Sequence, residues 1–281
     1  MELCGLVCMI QMVIEFSKLG IDKWDLADRW IRNQLAESQL TRVNRLRDGH
    51  LDYSRSPVGE GYFDSPRRTT EQVADLTLGA FAGWPSPNDW VGAEDWWGGD
   101  SHNIIYTIMN CCTGSGCRGL YSVWRDMISF EKDTLSVHLL LNRASRWADV
   151  DSYIPFTGRV DVKVKQDLKL ALRIPEWVVP DTVTCMVEGK PRGLSFDGRY
   201  AQVGNVAEGE KVIMTFPISE RTEKHTIEGF DYTFTFRGND VVYVDPPGKY
   251  APMYQRGHYR AGKPVYRKVT RFVSDEVFPW W

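Results

Sequence analysis

The chain has 281 residues and a formal net charge of -3, long enough for two domains that each bury a core. It lacks the basic excess that binding a polyanion requires, which excludes nucleic acid and anionic membrane surfaces as partners. Hydrophobic residues make up 43% and charged residues 25%, as in an ordinary soluble domain, and no run is long enough to span a membrane. Short basic groups at Arg42, Arg45 and Arg47 and at Arg67 and Arg68 are diluted by acids and read as solvated surface. The 11 Trp, 12 Tyr and 12 Phe suit sugar-ring stacking as a set, but each one singly is better read as core or interface.

In chain order, Glu2 to Leu19 reads as a helix with Leu6, Met9, Ile10 and Val13 on one face, closed at Gly20. It has no N-cap before Met1, so Met1 is expected to be an internal residue of a longer protein. Glu2 and two cysteines also interrupt the opening apolar run, which has no basic leader, so no secretory signal is read there. Asp22 is expected to cap a second helix carrying Ala27, Trp30, Ile31 and Leu35. Thr41 to Arg68 reads as a long loop, Thr69 to Ala82 as a shorter helix, and Gly83 to Gly99 as an irregular, functional rim. Cys111 to Met127 reads as helix again.

At Ile128 the pattern changes. Ser129–Leu141, Arg159–Val164, Leu168–Ile174, Val183–Val187 and Val212–Phe216 alternate as strands, with turns such as Asp197-Gly198 between them. This is the pattern of an antiparallel β-sandwich. Tyr232–Arg237 and Val241–Val244 add further strands. The expected division is a helical region over 1–128, a β-sandwich over 129–220 and an additional C-terminal β-segment over 221–281.

The six cysteines are Cys4, Cys8, Cys111, Cys112, Cys117 and Cys185. A chain of this size does not need disulfides to fold, and the adjacent Cys111 and Cys112 cannot comfortably pair with each other. Thiolate chemistry or metal binding in a reducing compartment is the better reading, with the cytoplasm favoured. Cys8 and Cys185 are taken as core thiols, and Cys117 is given no role.

The sharpest constellation is Glu2-Leu3-Cys4 at the start and Cys111-Cys112 far along the chain. One carboxylate and three thiols can complete a tetrahedral zinc site. The spacing alone is a moderate signal. Residues two apart do not share a face of a regular helix, so Glu2 and Cys4 converge only if the helix start is irregular. By the residues alone, buried free cysteines in a helical core are the commoner outcome.

The Glu-x-Cys at a helix start, the later Cys-Cys and the switch to strands resemble glycoside hydrolase family 127, the β-L-arabinofuranosidases. The resemblance continues in Leu170-Ala171-Leu172-Arg173-Ile174-Pro175-Glu176-Trp177, similar to that family's Leu-Arg-Ile-Pro-x-Trp strand, and in Phe236-Arg237-Gly238-Asn239-Asp240-Val241-Val242. It reaches from Met1 to about residue 255. It implies an α+β multidomain fold in which the C-terminal helices of an α/α barrel are followed by β-sandwich domains, so that 1–128 is part of a catalytic barrel.

It also implies roles. Glu2 matches a carboxylate zinc ligand and Cys4 the first thiolate ligand. Cys111 matches the catalytic nucleophile, itself a metal ligand, and Cys112 the remaining ligand. The implied cofactor is Zn2+ and the implied partner a glycan ending in β-L-arabinofuranose, cleaved with retention through a thioglycosyl intermediate. The family's general acid/base is a glutamate upstream of the Glu-x-Cys motif, so this chain is expected to lack it and to be a fragment with little activity alone. Glu60, Glu94, Asp95 and His102 can reach a sugar from the loops but read more simply as exposed polar side chains. Two other readings stay open: a non-catalytic carbohydrate-binding β-sandwich protein and a structural zinc protein. A lectin-like module has no reason to carry the zinc quartet, and a structural site predicts no thiol reactivity.

Overall fold

A computed structural model describes residues 2–41, 73–83, 108, 110–227, 229–247, 253–264 and 273. The Arg42–Arg47 and Arg67–Arg68 basic groups and the candidates Glu60, Glu94, Asp95 and His102 lie outside the described residues, as does the loop expected after Thr41.

Helix α1 (Leu3–Lys18) buries Leu3, Leu6, Val7, Ile10, Val13 and Ile14 on one face. It ends as the glycine predicts. Gly20 takes φ +89°, which lets the Gly20 N–H reach Ser17 O at 3.1 Å and the Ile21 N–H reach Phe16 O at 3.0 Å, closing the last turn as a Schellman motif. Asp22 Oδ1 then accepts the Trp24 N–H at 3.2 Å ahead of α2 (Trp24–Trp30). The expected single helix is interrupted: a π-helical turn over Ile31–Leu35 leads into α3 (Ala36–Ser38). Ala27, Ile31 and Leu35 are buried nonetheless.

The helix expected over Thr69 to Ala82 is present only as α4 (Val73–Leu76). Gly79 at φ +90° breaks it, and Phe81 and Ala82 become extended, bridging Gln39 and Ile108. Residues 69–72 lie outside the described residues. Helix α5 (Asn110–Asp126) matches the expected helix closely.

Strands begin at Ile128. The alternating run from Ser129 is a hairpin rather than one strand: β1 (Ile128–Glu131) turns through Lys132 and Asp133, both at positive φ, into β2 (Thr134–Val137). β3 (Arg143–Ala144), β4 (Ala148–Ser152), β5 (Arg159–Val164), β6 (Leu168–Arg173) and β7 (Thr184–Val187) follow. β8 (Lys190–Pro191), β9 (Ser195–Asp197), β10 (Tyr200–Val206) and β11 (Lys211–Thr215) complete two sheets, ordered β1-β2-β6-β10-β9 and β3-β4-β5-β11-β7-β8. Valines and leucines of both sheets fall in one hydrophobic cluster with the buried face of α1. One pairing departs from the antiparallel expectation. β2 and β6 run parallel, because the chain visits the other sheet between them and re-enters from the same end.

A third sheet of β12 (Glu220–Ile227), β13 (Phe230–Arg237) and β14 (Asp240–Asp245) has its own small core of Tyr232, Phe236, Val241, Val244, Met253 and Tyr254. No helix among the described residues is long and apolar enough to cross a membrane.

Candidate metal centre

α1 and α5 run parallel, and this sets the site. Cys4 meets Cys112, Cys8 meets Arg118, and Gln11 meets Ser122, separations of 108, 110 and 111 residues along the pair. Glycines on α5 permit the approach: a Cβ on Gly119 would lie 2.9 Å from Val7, and one on Gly116 would lie 2.4 Å from the Phe81 ring. The two N-termini therefore sit side by side, so the positive ends of both helix dipoles meet at the same place.

Glu2, Cys4, Cys111 and Cys112 converge there, with one ligand atom from each and all four atoms within 4.8 Å of one another. The spacing objection to Glu2 and Cys4 is resolved by the backbone. Glu2 is extended (φ -65°, ψ 141°) and stands just before the first helical turn, so helical periodicity does not constrain it. Cys4 Sγ lies 3.5 Å and Cys111 Sγ 3.6 Å from Cys112 Sγ. Glu2 Oε1 lies 3.5 Å from Cys112 Sγ and 4.0 Å from Cys111 Sγ.

These separations suit a metal better than a disulfide. All six cysteines are free. Sulfurs about 2.3 Å from a tetrahedral zinc lie about 3.8 Å apart, and a sulfur and a carboxylate oxygen about 3.6 Å apart. Burial, then hydrogen bonds with Cys4 and Cys111, push the Cys112 thiol well above its ordinary range. A divalent cation at the centre of such an acidic group reverses that penalty. The donor set of three thiols and one carboxylate is one that zinc accepts.

The three thiols are not equivalent. Cys112 is buried, Cys4 partly so, and Cys111 is exposed, so Cys111 is the one a ligand from solvent can reach. Cys185 is buried in β7 and its thiol is pushed up to about 11 by burial. Cys8 is not the core thiol expected. It is exposed beside Arg118, because it stands one step off the Val7 and Ile10 face of α1. Cys117 is also exposed.

Residues 136–218 match the family model for the β-L-arabinofuranosidase, GH127 middle domain. Over those residues the chain is similar to glycoside hydrolase family 127. No curated protein sequence matches the chain. Among solved structures, a GH127 β-L-arabinofuranosidase from Geobacillus stearothermophilus T6 is 18% identical over 59% of this chain and 29% of its own, with a TM-score of 0.41. A GH127 β-arabinofuranosidase is 19% identical over 59% of this chain and 30% of its own, at 0.37. A protein described as a glycoside hydrolase is 19% identical over 49% of this chain and 26% of its own, at 0.40. This chain thus spans less than a third of the length of each.

The two strand motifs that resemble the family do not reach the thiol cluster. They build a buried polar junction. Arg173, within the segment that matches the GH127 middle domain, donates to Asp25 Oδ2 at 2.5 Å and to Asp22 Oδ2 at 2.8 Å. Asn239, between β13 and β14, donates to Asp28 Oδ2 at 2.9 Å and Asp25 Oδ1 at 3.2 Å. Asn33, in the π turn, donates to Asn239 O and accepts from the Val241 N–H, both at 2.8 Å. Gly238 is required twice over: its φ is +60°, and a Cβ there would lie 2.8 Å from Trp177. The cavity among these residues holds about 10 Å³, the room of one water and not of a sugar ring. The junction is therefore a lock between elements. Nothing in the sequence separates a motif that locks from one that reacts, and the supporting groups Phe81, Gly83 and Thr113 carry no sequence signal.

Proposed function

We propose that the chain carries the nucleophilic half of a retaining glycosidase acting on terminal β-L-arabinofuranosides, with Zn2+ held by Glu2, Cys4, Cys111 and Cys112. The observation that carries this reading is the convergence of three thiols and a carboxylate within 4.8 Å of one another, in a chain whose residues 136–218 match the GH127 middle domain. Two parallel inward helices are also what neighbours in an α/α barrel supply. A bound zinc ion would keep the thiols deprotonated at neutral pH.

In this reading Cys111 is the nucleophile because it alone is both a ligand and exposed. Its sulfur attacks the anomeric carbon, a carbon–sulfur bond forms and the aglycone oxygen leaves. Water then attacks opposite the sulfur, from the face that the aglycone left, and breaks the carbon–sulfur bond, so two inversions give net retention. Glu2 is committed as a ligand, so the acid that protonates the leaving oxygen is a further carboxyl group, not one of these four. Buried Cys112 and half-buried Cys4 hold the site together. The free cysteines fit a reducing compartment such as the cytoplasm.

The test is the zinc-loaded chain with an aryl β-L-arabinofuranoside, whose leaving group needs little protonation, and with a natural disaccharide. The expected result is a covalent pentosyl adduct on Cys111 with the aryl substrate, seen by mass spectrometry and lost in Cys111→Ala. A parent chain that binds zinc yet leaves Cys111 unmodified would favour a structural zinc site.

A further inference from the structure

The four donors come from two helix starts that nothing in the sequence ties together, yet one ligand atom from each lies within 4.8 Å of the others. We propose that Phe81–Gly83 is a positioning strap for the metal centre, with Thr113 as its fastening on α5; the proposal rests on the metal-centre reading above.

The segment is extended and lies across both helix starts. Gly83 O accepts the Leu3 N–H at 2.8 Å, at the residue between the donors Glu2 and Cys4. Phe81 O accepts the Thr113 hydroxyl at 3.1 Å, at the residue directly after Cys112. Carbonyls two apart on an extended backbone point the same way, roughly 6.6 Å apart, so one rigid stretch of chain fixes the spacing of the two ligand pairs. Ala82 faces the other way, and its N–H reaches Ser38 O at 2.8 Å, tying the strap to α3.

Packing locks the register. Phe81 is 1% exposed and its ring lies against the backbone of Gly116, where any Cβ would overlap it. That contact is one turn beyond Cys112. The strap therefore grips each helix within one turn of its ligands.

The test measures zinc affinity by competition with a chromophoric chelator, and the thiolate-to-metal bands of the Co2+ form, on the full chain. Thr113→Val keeps the side chain's shape and removes the bond to Phe81. It is expected to weaken zinc about 10-fold, the scale on which groups supporting metal ligands act. Thr113→Ser restores the hydroxyl and is expected to bind within about 2-fold of the parent. Gly116→Ala displaces the Phe81 ring and is expected to weaken zinc and alter the Co2+ bands, with the helical circular dichroism kept. Ser122→Ala is the control: it removes the 2.8 Å bond from Gln11 in the same helix pair, away from the strap, and should leave affinity unchanged. If Thr113→Val and Gly116→Ala bind as tightly as the parent, or Ser122→Ala weakens zinc equally, the strap is overturned while the metal centre stands. If the parent binds no zinc, the metal-centre reading falls and the strap with it.

Discussion

The guanidinium of Arg143 stacks over the Trp124 ring at 4.4 Å and donates to that residue's own carbonyl. The same Nη1 reaches Arg125 O at 3.1 Å. Arg143 belongs to β3, so a sandwich residue closes the C-terminal end of α5, where helix carbonyls lack internal partners. Burial holds this guanidinium down at about 10. Arg143→Met should fill the space, strand the carbonyls and lower unfolding free energy by about 2 kcal/mol, read from denaturant midpoints.

A larger loss is expected at Arg173. It is 3% exposed, as is its partner Asp25 at 4%, so removing the cation leaves a buried carboxylate uncompensated. Arg173→Ala should cost about 3–5 kcal/mol, and Arg173→Ala with Asp25→Ala should cost less than the single change. A double variant worse than the single one would mean that packing, not charge, dominates.

Two buried groups should give opposing pH dependences. His138 stacks on Trp24 at 4.7 Å and hydrogen-bonds Tyr200 and Ser129; burial lowers it from 6.5 to about 4. Between those values the unfolded chain binds the proton and the folded chain does not, so stability falls as pH falls. Burial raises Asp240 from 3.8 to about 6, so the folded chain holds the extra proton and stability falls as pH rises through that window. In the parent the two slopes offset. Asp240→Asn should steepen the loss of stability on acidification between pH 6 and 4, and His138→Gln should reverse its sign. Parallel curves for both variants and the parent would contradict this.

Zinc binding should release protons. The Cys112 thiol is pushed up by burial and by its neighbours, so it is protonated at neutral pH, and ligation requires the thiolate. Titration calorimetry in buffers of different ionisation enthalpy should give about one proton fewer released per ion for Cys112→Ser than for the parent.

Much of the fold was legible because burial leaves a periodic trace. α1 shows it at Leu6, Ile10 and Val13, and the Val160, Val162 and Val164 alternation gives β5 its full length. β12 was missed because no residue of Glu220–Ile227 is fully buried and its partly buried face carries Arg221 and Glu223, so it shows no apolar alternation. β10 was missed because a bulge between Gln202 and Gly204 shifts its register. The Ser129–Leu141 run read as one strand because a two-residue turn at Lys132 and Asp133 leaves the alternation nearly unbroken. The four candidate ligands were reachable only through resemblance, since no rule of spacing joins an extended residue before one helix to the first turn of another. The helical half of the polar junction left no trace. Asp25, Asp28 and Asn33 look like solvent-facing helix residues until the strands that cover them are in place.

The parallel course of α1 and α5 bears on how the chain is made. Parallel neighbours cannot be joined by a short turn, and every contact along this pair spans about the same distance in sequence, as the 111-residue separation of Gln11 and Ser122 illustrates. During synthesis the Leu6, Ile10 and Val13 face of α1 leaves the ribosome long before Gly116 and Gly119 exist to receive it. At about 5–20 residues per second that interval lasts several seconds or more, with an oily helix surface exposed to every other nascent chain. Co-expression with a holdase should therefore raise soluble yield more than added zinc does, since zinc has no complete set of ligands until α5 has been made.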